Sequence, residues 1–274
     1  MLKLTVAEII AKIQKGEVFE AVSADYSFSI KIESYVNYVC GAVHDGHQFR
    51  KSLWEVCWHS EYERWYEEDP CTLQMVQSHP IVIAGRDSRF EYDLNRAEDT
   101  AIYTDAWGKE LWKFPLDQET KEVGLKKHRD FYKVVGALMQ KLESLHENVV
   151  VFDMHSYNWK RWEREVPTWN LGTANIDADR FGTIAKSWSD KLGTMQLPNG
   201  IKSTSAINDT FQGNGYFLKY ITQNFKNTLV LATEIAKVYC DEYTGVIYPE
   251  VVAAVAAQLT ELIPLQATEF EKSV

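Results

Sequence analysis

The amino-acid sequence predicts an α/β fold in which helices cover both faces of a mixed, mostly parallel central sheet. Continuous apolar runs suited to buried strands alternate with stretches in which apolar residues recur at helical spacing. No internal repeat, low-complexity tract or Pro/Gly-rich linker divides the chain. We therefore expect residues 1–274 to form one domain, with residues 1–35 contributing an N-terminal helix and an extended segment that pack on it.

The individual elements follow from the period of the apolar pattern. The longest helical stripe runs from Phe131 to Leu145, and Pro249 fits the first position of a last helix. Further helices are predicted over residues 5–15, 177–192 and 215–224. Strands are predicted over residues 35–43, 80–84, 149–152 and 229–233, where short apolar runs suit a sheet covered on both faces.

Reactive side chains follow three of the predicted strands. His44 and His47 follow the first strand, Asp153 and His155 follow the third, and Glu234 ends the fourth. In open α/β sheets the functional crevice lies at the carboxyl ends of the strands. If these strands are parallel neighbours, we expect their reactive side chains to converge on one site.

Histidines with a carboxylate and an open position are the usual ligands of a catalytic zinc ion, and a nearby glutamate supplies a general base. The three-residue spacing lets His44 and His47 face one ion if a helical turn begins there. Asp153 lies two residues from His155 on an extended chain, so it could orient that imidazole. A single histidine is more often a structural group, so spacing alone leaves that alternative open.

Two basic segments suggest how a substrate is held. Arg89 and Arg96 flank a stretch that ends in Asp-Leu-Asn-Arg, with Asn95 directly before Arg96. Two guanidiniums and an amide suit a small substrate with a carboxylate, although a surface strand with Arg–acid ion pairs is the alternative. The Trp-Lys-Arg-Trp segment at residues 159–162 could form a wall or lid over the site.

Composition excludes several classes of protein. Hydrophobic residues make up 45% of the chain, enough for a sizeable core, and 29 Lys and Arg against 39 Asp and Glu leave a formal net charge of −10. So acidic a chain is a poor binder of nucleic acid or of an anionic membrane. The N-terminus does not read as a signal peptide and four scattered cysteines suit a reducing compartment, so we expect a cytoplasmic protein.

These motifs together resemble the N-formylglutamate amidohydrolase family, whose fold is of the zinc-carboxypeptidase type and whose wider group includes the aspartoacylases. The similarity extends from about residue 40 to residue 262. The Arg89–Arg96 block is its most specific part, because Asp-Leu-Asn-Arg recurs in the wider group as a carboxylate-binding element. The matching segments are Val43–Gly46, Glu67–Thr72, Ser88–Arg96, Asp153–Ser156 and Glu234–Glu242.

The resemblance implies a single catalytic domain that uses zinc, with His44 and His155 as two of the ligands. The third ligand has two candidate positions. The carboxypeptidase pattern places it at His47, where that pattern has glutamate, whereas the formylglutamate-type pattern points to Asp69 or to its neighbour Glu68. Zinc accepts either an imidazole or a carboxylate, so both positions stay open.

The resemblance also implies the roles of the remaining residues. Glu234 corresponds to the general base, Arg89 to the group that stabilises the developing oxyanion, and Asn95 with Arg96 to the clamp on a substrate carboxylate. The sequence departs from the family pattern in two places: Val43 stands where proline is common, and Lys237 where arginine is common.

The departure at Lys237 bears on the substrate, because lysine does not replace arginine at a bidentate site. Lys237 or Arg86 could meet a second substrate carboxylate, a suggestion based on charge alone. The predicted function is zinc-dependent hydrolysis of a small acidic N-acyl amino acid, with N-formyl-L-glutamate, cleaved to L-glutamate and formate, as the first candidate. The alternatives are a carboxypeptidase or amidase acting on peptides or cell-wall fragments, and a metal-free relative that binds an anionic metabolite without turnover.

Overall fold

The computed structural model describes residues 1–273, which fold around one nine-stranded sheet. The helices are α1 (Val6–Lys15), α2 (Lys51–Trp54), α3 (Glu61–Glu67), α4 (Thr72–Val76), α5 (Gln118–Leu145), α6 (Ala178–Gly193), α7 (Tyr216–Asn224) and α8 (Pro249–Ser273). The strands are β1 (Leu2–Leu4), β2 (Phe19–Ser23), β3 (Phe28–Ile32), β4 (Tyr38–Ala42), β5 (Ile81–Gly85), β6 (Asp105–Ala106), β7 (Lys109–Glu110), β8 (Val149–Tyr157), β9 (Trp169–Gly172), β10 (Ser205–Ile207) and β11 (Thr228–Ala236).

The strands of the central sheet lie in the order β1-β2-β3-β5-β4-β8-β11-β9-β10. Parallel pairing joins β1 to β2, β5 to β4, β4 to β8, β8 to β11 and β9 to β10. The pairs β2–β3, β3–β5 and β11–β9 are antiparallel, and β6 with β7 forms a separate hairpin. The sheet is therefore mixed and mostly parallel, which confirms the predicted fold class.

An apolar core lies on each face of the sheet, because alternate residues of a strand point to opposite sides. Val151 of β8 belongs to the core that contains residues of α1, α5 and α7. Its neighbour Phe152 belongs to the opposite core, with residues of α4, α6 and α8. The same alternation directs the side chains of Asp153 and His155 towards the α1–α5–α7 side at the carboxyl end of β8.

Every predicted helix and strand is present, but several extend beyond the predicted bounds, and the strand predicted over residues 35–43 is confined to Tyr38–Ala42. Helix α5 begins at Gln118, earlier than its apolar stripe indicates, because the Asp117 side chain accepts a hydrogen bond from the Thr120 N–H at 2.7 Å. Strands β8 and β11 continue to Tyr157 and Ala236. Their last residues include polar side chains, which an apolar run does not reveal.

The sequence did not predict the outer strands of the sheet. The extended part of the N-terminal segment forms β2 and β3, which continue the central sheet beyond β5. Strands β9 and β10 extend the opposite side next to β11. Strands β1 and β10 are three residues long and β9 is four, too short to give a clear alternating pattern.

Helix α8 is the one helix in the described residues that is long and apolar enough to cross a bilayer, by length and composition alone. Its residues Val251, Val255 and Leu259 are fully buried in the core shared with α4 and α6. Burial of this stripe is what a core helix of a globular domain requires. We therefore assign α8 to the packing of the sheet.

Helix α5 offers a direct test of this packing. Leu138 is buried between α5 and the sheet, whereas Leu145, at the end of the same helix, exposes half of its surface. Leu138→Ala should lower the free energy of unfolding by about 2–5 kcal/mol, because it leaves a cavity. Leu145→Ala should change it by less than about 0.5 kcal/mol. Urea denaturation measures both, and equal losses would show that the assigned face of α5 is wrong.

Candidate active site

The carboxyl ends of β4, β8 and β11 meet at one edge of the sheet and carry reactive side chains. In the parallel pairing of β8 with β11, His155 lies beside Glu234, and in the pairing of β4 with β8, Asp153 lies beside Gly41. His44 follows the end of β4 by two residues. The three strand ends therefore converge, as the sequence led us to expect.

Two imidazoles and one carboxylate form a buried group that could bind a metal ion. Oδ2 of Asp69 lies 3.0 Å from Nδ1 of His155 and 3.3 Å from Nδ1 of His44. One ligand atom from each residue lies within 4.8 Å of the others. Asp69 is held in place because its N–H donates to the His44 carbonyl at 3.0 Å and its Oδ1 accepts from the Ser156 hydroxyl at 3.2 Å.

A further carboxylate lies at the other nitrogen of each histidine ring. Nε2 of His44 lies 2.6 Å from Oδ1 of Asp93, and Nε2 of His155 lies 3.0 Å from Oδ1 of Asp153. Metal-bound histidines usually have such a partner, which fixes the tautomer and leaves the opposite nitrogen free for the ion. Both Nδ1 atoms therefore face the position that a cation would occupy beside Asp69.

The charges within the group suit a cation. Burial alone would raise the pKa of Asp69, but the hydrogen bond to His155 and the neighbouring imidazole of His44 outweigh it and hold that pKa well below its ordinary value. Burial would lower the pKa of His155, but the carboxylates of Asp153 and Asp69 outweigh it and raise that pKa well above its ordinary value. A carboxylate held ionised in a buried site is a good ligand for a metal ion.

One buried atom supports metal binding independently of charge. Nδ1 of His44 is buried, and its contact with Oδ2 of Asp69 at 3.3 Å does not meet hydrogen-bond geometry, so the atom has no hydrogen-bond partner within residues 1–273. Buried polar atoms are normally paired, so an unpaired one needs an explanation. A cation shared with Asp69 and His155 would supply the missing partner, and the residues present therefore fit a metal ion.

The other two candidates for the third ligand, His47 and Glu68, lie outside this group. Nδ1 of His47 contacts the Glu68 carboxylate, and Nε2 of His47 lies 3.4 Å from Glu61. Glu68 also accepts a hydrogen bond from the Ser88 hydroxyl. No helix begins after His44, and His47 is not part of the group formed by His44, Asp69 and His155. The structure thus brings Asp69, rather than His47, to His44 and His155.

Glu234 lines the same cavity as the three candidate ligands. Burial raises its pKa to about 8, and the nearby charges of Asp69 and Asp153 act in the same direction, whereas those of His155 and Arg89 lower it. A carboxylate with a raised pKa can both accept and return a proton near neutral pH. A cation bound beside it would lower that pKa and favour the ionised form.

Arg89 also lines the cavity and is held by several contacts. Its Nη2 atom donates to Oδ2 of Asp93 at 2.8 Å and to the Tyr103 hydroxyl at 3.2 Å, and its Nη1 atom donates to the Glu67 carbonyl at 3.2 Å. The guanidinium lies 5.1 Å from the ring of Trp107, at the turn between β6 and β7. These contacts fix Arg89 next to the candidate ligands.

Asn95 is anchored to the start of α7. Its Oδ1 atom accepts the Phe217 N–H at 3.1 Å, and its Nδ2 atom lies 3.4 Å from Nε2 of His155. A Cβ atom at Gly215 would clash with the side-chain amide of Asn95, so this close approach requires glycine. Asn95 lines the cavity, but its carbonyl oxygen is already engaged by the protein.

The cavity that contains these residues has a volume of about 510 Å³, within the range of roughly 300–1,000 Å³ typical of small-molecule sites. Arg96 lines it with an exposed side chain that forms no ion pair with any described residue. Lys237 and Arg86 do not line it. Lys237 is buried elsewhere and donates to the Tyr66 carbonyl.

The comparisons with known proteins bear directly on this site. A family model described as N-formylglutamate amidohydrolase matches residues 36–239, about three quarters of the chain. The chain belongs to this family. The match includes every candidate ligand, the general-base candidate Glu234 and the Arg89–Arg96 block. The family predicted from the motifs is thereby confirmed, and the protein is a hydrolase of the N-formylglutamate amidohydrolase family.

Solved structures show that the family's fold is shared. An N-formylglutamate amidohydrolase from Ralstonia eutropha matches with a TM-score of 0.71 and 16% identity, covering 90% of this chain and 99% of that one. A gene product from Agrobacterium tumefaciens matches with a TM-score of 0.69 and 15% identity, covering 89% of this chain and 96% of that one. No curated protein sequence matches the chain. At these identities the similarity establishes the fold.

Several cavity-lining residues had no role assigned from the sequence, and part of the segment expected to form a wall also lines the cavity. Tyr103, Tyr157 and Phe211 line the cavity, as do Arg161 and Trp162 of the segment that was expected to form a wall. They lie on loops and strand ends far apart in the chain. Among these residues, only those of the Trp-Lys-Arg-Trp motif could be recognised from a short stretch of sequence. No periodic pattern marks the others.

Proposed function

We propose that the protein hydrolyses the amide bond of a small acidic N-acyl amino acid in a zinc-dependent reaction, with N-formyl-L-glutamate as the reference substrate. The convergence of His44, Asp69 and His155 beside Glu234 in one cavity carries this proposal. We further propose a cytoplasmic location, because all four cysteines are free.

Zinc is the proposed metal because two imidazoles and one carboxylate, with room left for substrate, are a usual ligand set of catalytic zinc. His44, Asp69 and His155 would hold it. When bound, zinc would polarise the amide carbonyl and activate the attacking water. Asp93 and Asp153 would keep the two imidazoles in the tautomer that leaves Nδ1 free, through the contacts to Nε2.

Glu234 is proposed as the group that moves the proton. Its carboxylate accepts a proton from the water that attacks the carbonyl carbon, and it returns that proton to the departing nitrogen as the C–N bond breaks. The products are a carboxylate, formate for a formyl group, and the free amino acid. Arg89, fixed by Asp93 and Tyr103, is placed to donate a hydrogen bond to the carbonyl oxygen as it gains negative charge.

The proposal is tested by the release of formate from N-formyl-L-glutamate. The purified protein should lose this activity after treatment with a chelator and regain it when zinc is added back. Hydrolysis that persists after complete removal of metal would overturn the zinc mechanism. Absence of formate release with zinc present would remove N-formyl-L-glutamate as a substrate.

Arg96 should act mainly in substrate binding. Its guanidinium has no ion-pair partner within residues 1–273, so it is available to hold a substrate carboxylate through two hydrogen bonds. Arg96→Ala should raise KM by about tenfold or more with a smaller change in kcat. Arg129→Ala is the control, because Arg129 pairs with Glu98 and Glu122 outside the cavity. An unchanged KM in Arg96→Ala would remove Arg96 from the binding site.

The ionisation of Glu234 should appear in the pH dependence of the reaction. As a base, Glu234 must be deprotonated, so kcat/KM should fall about tenfold per pH unit below its apparent pKa and level off above it. Burial raises this pKa to about 8, and the positive charge of a bound metal should bring the apparent value below that. A profile of kcat/KM that stays flat from about pH 5 to pH 8 would contradict this role.

A further inference from the structure

The cationic groups of the cavity are not equally available to a substrate. Nη2 of Arg89 is bonded to Asp93 at 2.8 Å, and Nη2 of Arg161 is bonded to Glu67 at 2.7 Å. Arg96 is the one arginine of the cavity lining that has no ion pair among the described residues. The cavity therefore offers a single free guanidinium.

The remaining charge in the cavity is negative. The carboxyl groups of the lining that pair with no arginine are those of Asp69, Asp105, Asp153 and Glu234, whereas Glu67 is bonded to Arg161. A bound metal would offset part of this charge, but only beside Asp69 and the two histidines. A ligand with two carboxylates would have to place the second one among like charges without a cation to receive it, which is unfavourable.

Lys237 and Arg86, the two cations that the sequence suggested for a second carboxylate, do not line the cavity. Lys237 is buried, donates to the Tyr66 carbonyl and lies 5.7 Å and 5.6 Å from the centres of the Trp65 and Tyr66 rings. Moving it into the cavity would break these contacts. Lys237 therefore does not supply the second positive charge that a dicarboxylate ligand needs.

An aromatic surface lines part of the cavity instead. The Phe211 ring lies edge-on to Tyr157, with centres 5.5 Å apart, and edge-on to Trp162, with centres 6.4 Å apart. Phe211 exposes 39% of its surface although it lines the cavity. Aromatic surface of this kind gains from covering by another ring, through burial and edge-to-face contact.

We propose that the cavity selects N-acyl amino acids that carry one carboxylate and an aromatic side chain, in preference to those with a second carboxylate such as N-formyl-L-glutamate. Arg96 holds the carboxylate, and the side chain packs on the surface formed by Tyr157, Trp162 and Phe211. The inference rests on the proposed hydrolysis of N-acyl amino acids at this site, and it places N-formyl-L-glutamate, the reference substrate, below aromatic N-acyl amino acids.

Binding measurements test this inference separately from turnover. The Glu234→Gln variant, which should bind without hydrolysing, is titrated in a calorimeter with N-formyl-L-phenylalanine and with N-formyl-L-glutamate. We expect a Kd for the phenylalanine compound that is at least about tenfold lower. Equal affinities, tighter binding of the glutamate compound, or binding of neither would overturn the inference.

Variants locate the preference on the aromatic surface. In the Glu234→Gln background, Phe211→Ala should reduce the preference for the phenylalanine compound over the glutamate compound by about tenfold. Phe211→Arg should favour the glutamate compound, because it adds a cation. Phe114→Ala is the matched control, since Phe114 is exposed outside the cavity. A preference that survives Phe211→Ala and Phe211→Arg would overturn the assigned location.

The two proposals can fail independently. Preferential binding of the phenylalanine compound without any formate release by the wild-type protein would remove the hydrolytic function and leave the ligand class standing. Efficient hydrolysis of N-formyl-L-glutamate, with tighter binding of that compound, would support the proposed function and overturn the inference.

Discussion

The Glu234→Gln variant should keep its metal and lose kcat by about 10²–10⁴-fold, the usual contribution of a positioned general acid–base group. Glutamine has nearly the same shape but cannot accept the proton of the attacking water. The substituted side chain stays on β11, whose pairing with β8 and β9 places residue 234 between His155 and Asn170. The loss should therefore be chemical rather than structural.

Three measurements separate a chemical loss from a structural one. Metal content should equal that of the wild-type protein, because Glu234 is not one of the three candidate ligands. Thermal stability should not fall, since the change removes a carboxyl group whose ionised form is disfavoured by burial. Glu110→Gln, in an exposed strand of the hairpin, is the control and should retain full activity. Wild-type kcat in Glu234→Gln would remove Glu234 from the mechanism.

Loss of the metal is the second large effect that we expect. His155→Ala and Asp69→Ala should each bind far less zinc than the wild-type protein and lose activity with it, because each removes one of three proposed ligands. Substitution of a residue that only orients a ligand typically weakens metal affinity by about 10–100-fold. Asp153→Asn should weaken zinc affinity by a factor in that range, since Asp153 contacts the Nε2 atom of His155.

His47→Ala distinguishes the two sequence patterns for the third ligand. Nδ1 of His47 contacts Glu68 rather than Asp69, so this variant should retain about one zinc ion per chain. Elemental analysis after dialysis measures the content of each variant. Zinc lost from His47→Ala and retained by Asp69→Ala would show that His47, rather than Asp69, is the third ligand, as in the carboxypeptidase-type pattern.

The elements that carry the site could be predicted from short stretches of sequence. The strands β4, β8 and β11 are apolar runs, and the polar residues that end them interrupt those runs. Because parallel strands present their carboxyl ends at one edge, the run ends predicted that His44, His155 and Glu234 lie together if their strands are parallel neighbours. The contiguous Asp-Leu-Asn-Arg motif likewise marked Arg96 as a candidate for binding a carboxylate.

The third ligand could not be chosen in the same way. Asp69 contacts His155 across 86 positions of the chain, whereas His47, which lies in no helix, contacts Glu68 and Glu61. Both facts depend on how the loops after β4 and α3 lie on the sheet. The three-residue spacing of His44 and His47 brings both side chains to one face in a helix but does not do so in other conformations.

The sequence by itself determined the fold class, the family and the strand ends at which chemistry is placed, because these depend on periodicity and on contiguous motifs. Only the tertiary structure decided which carboxylate joins the two histidines. It also showed that Arg89 is paired while Arg96 is free, and that Phe211 and Trp162 form an aromatic surface. The physical reason is that contacts between distant segments depend on the packing of loops, which local patterns in the sequence do not specify.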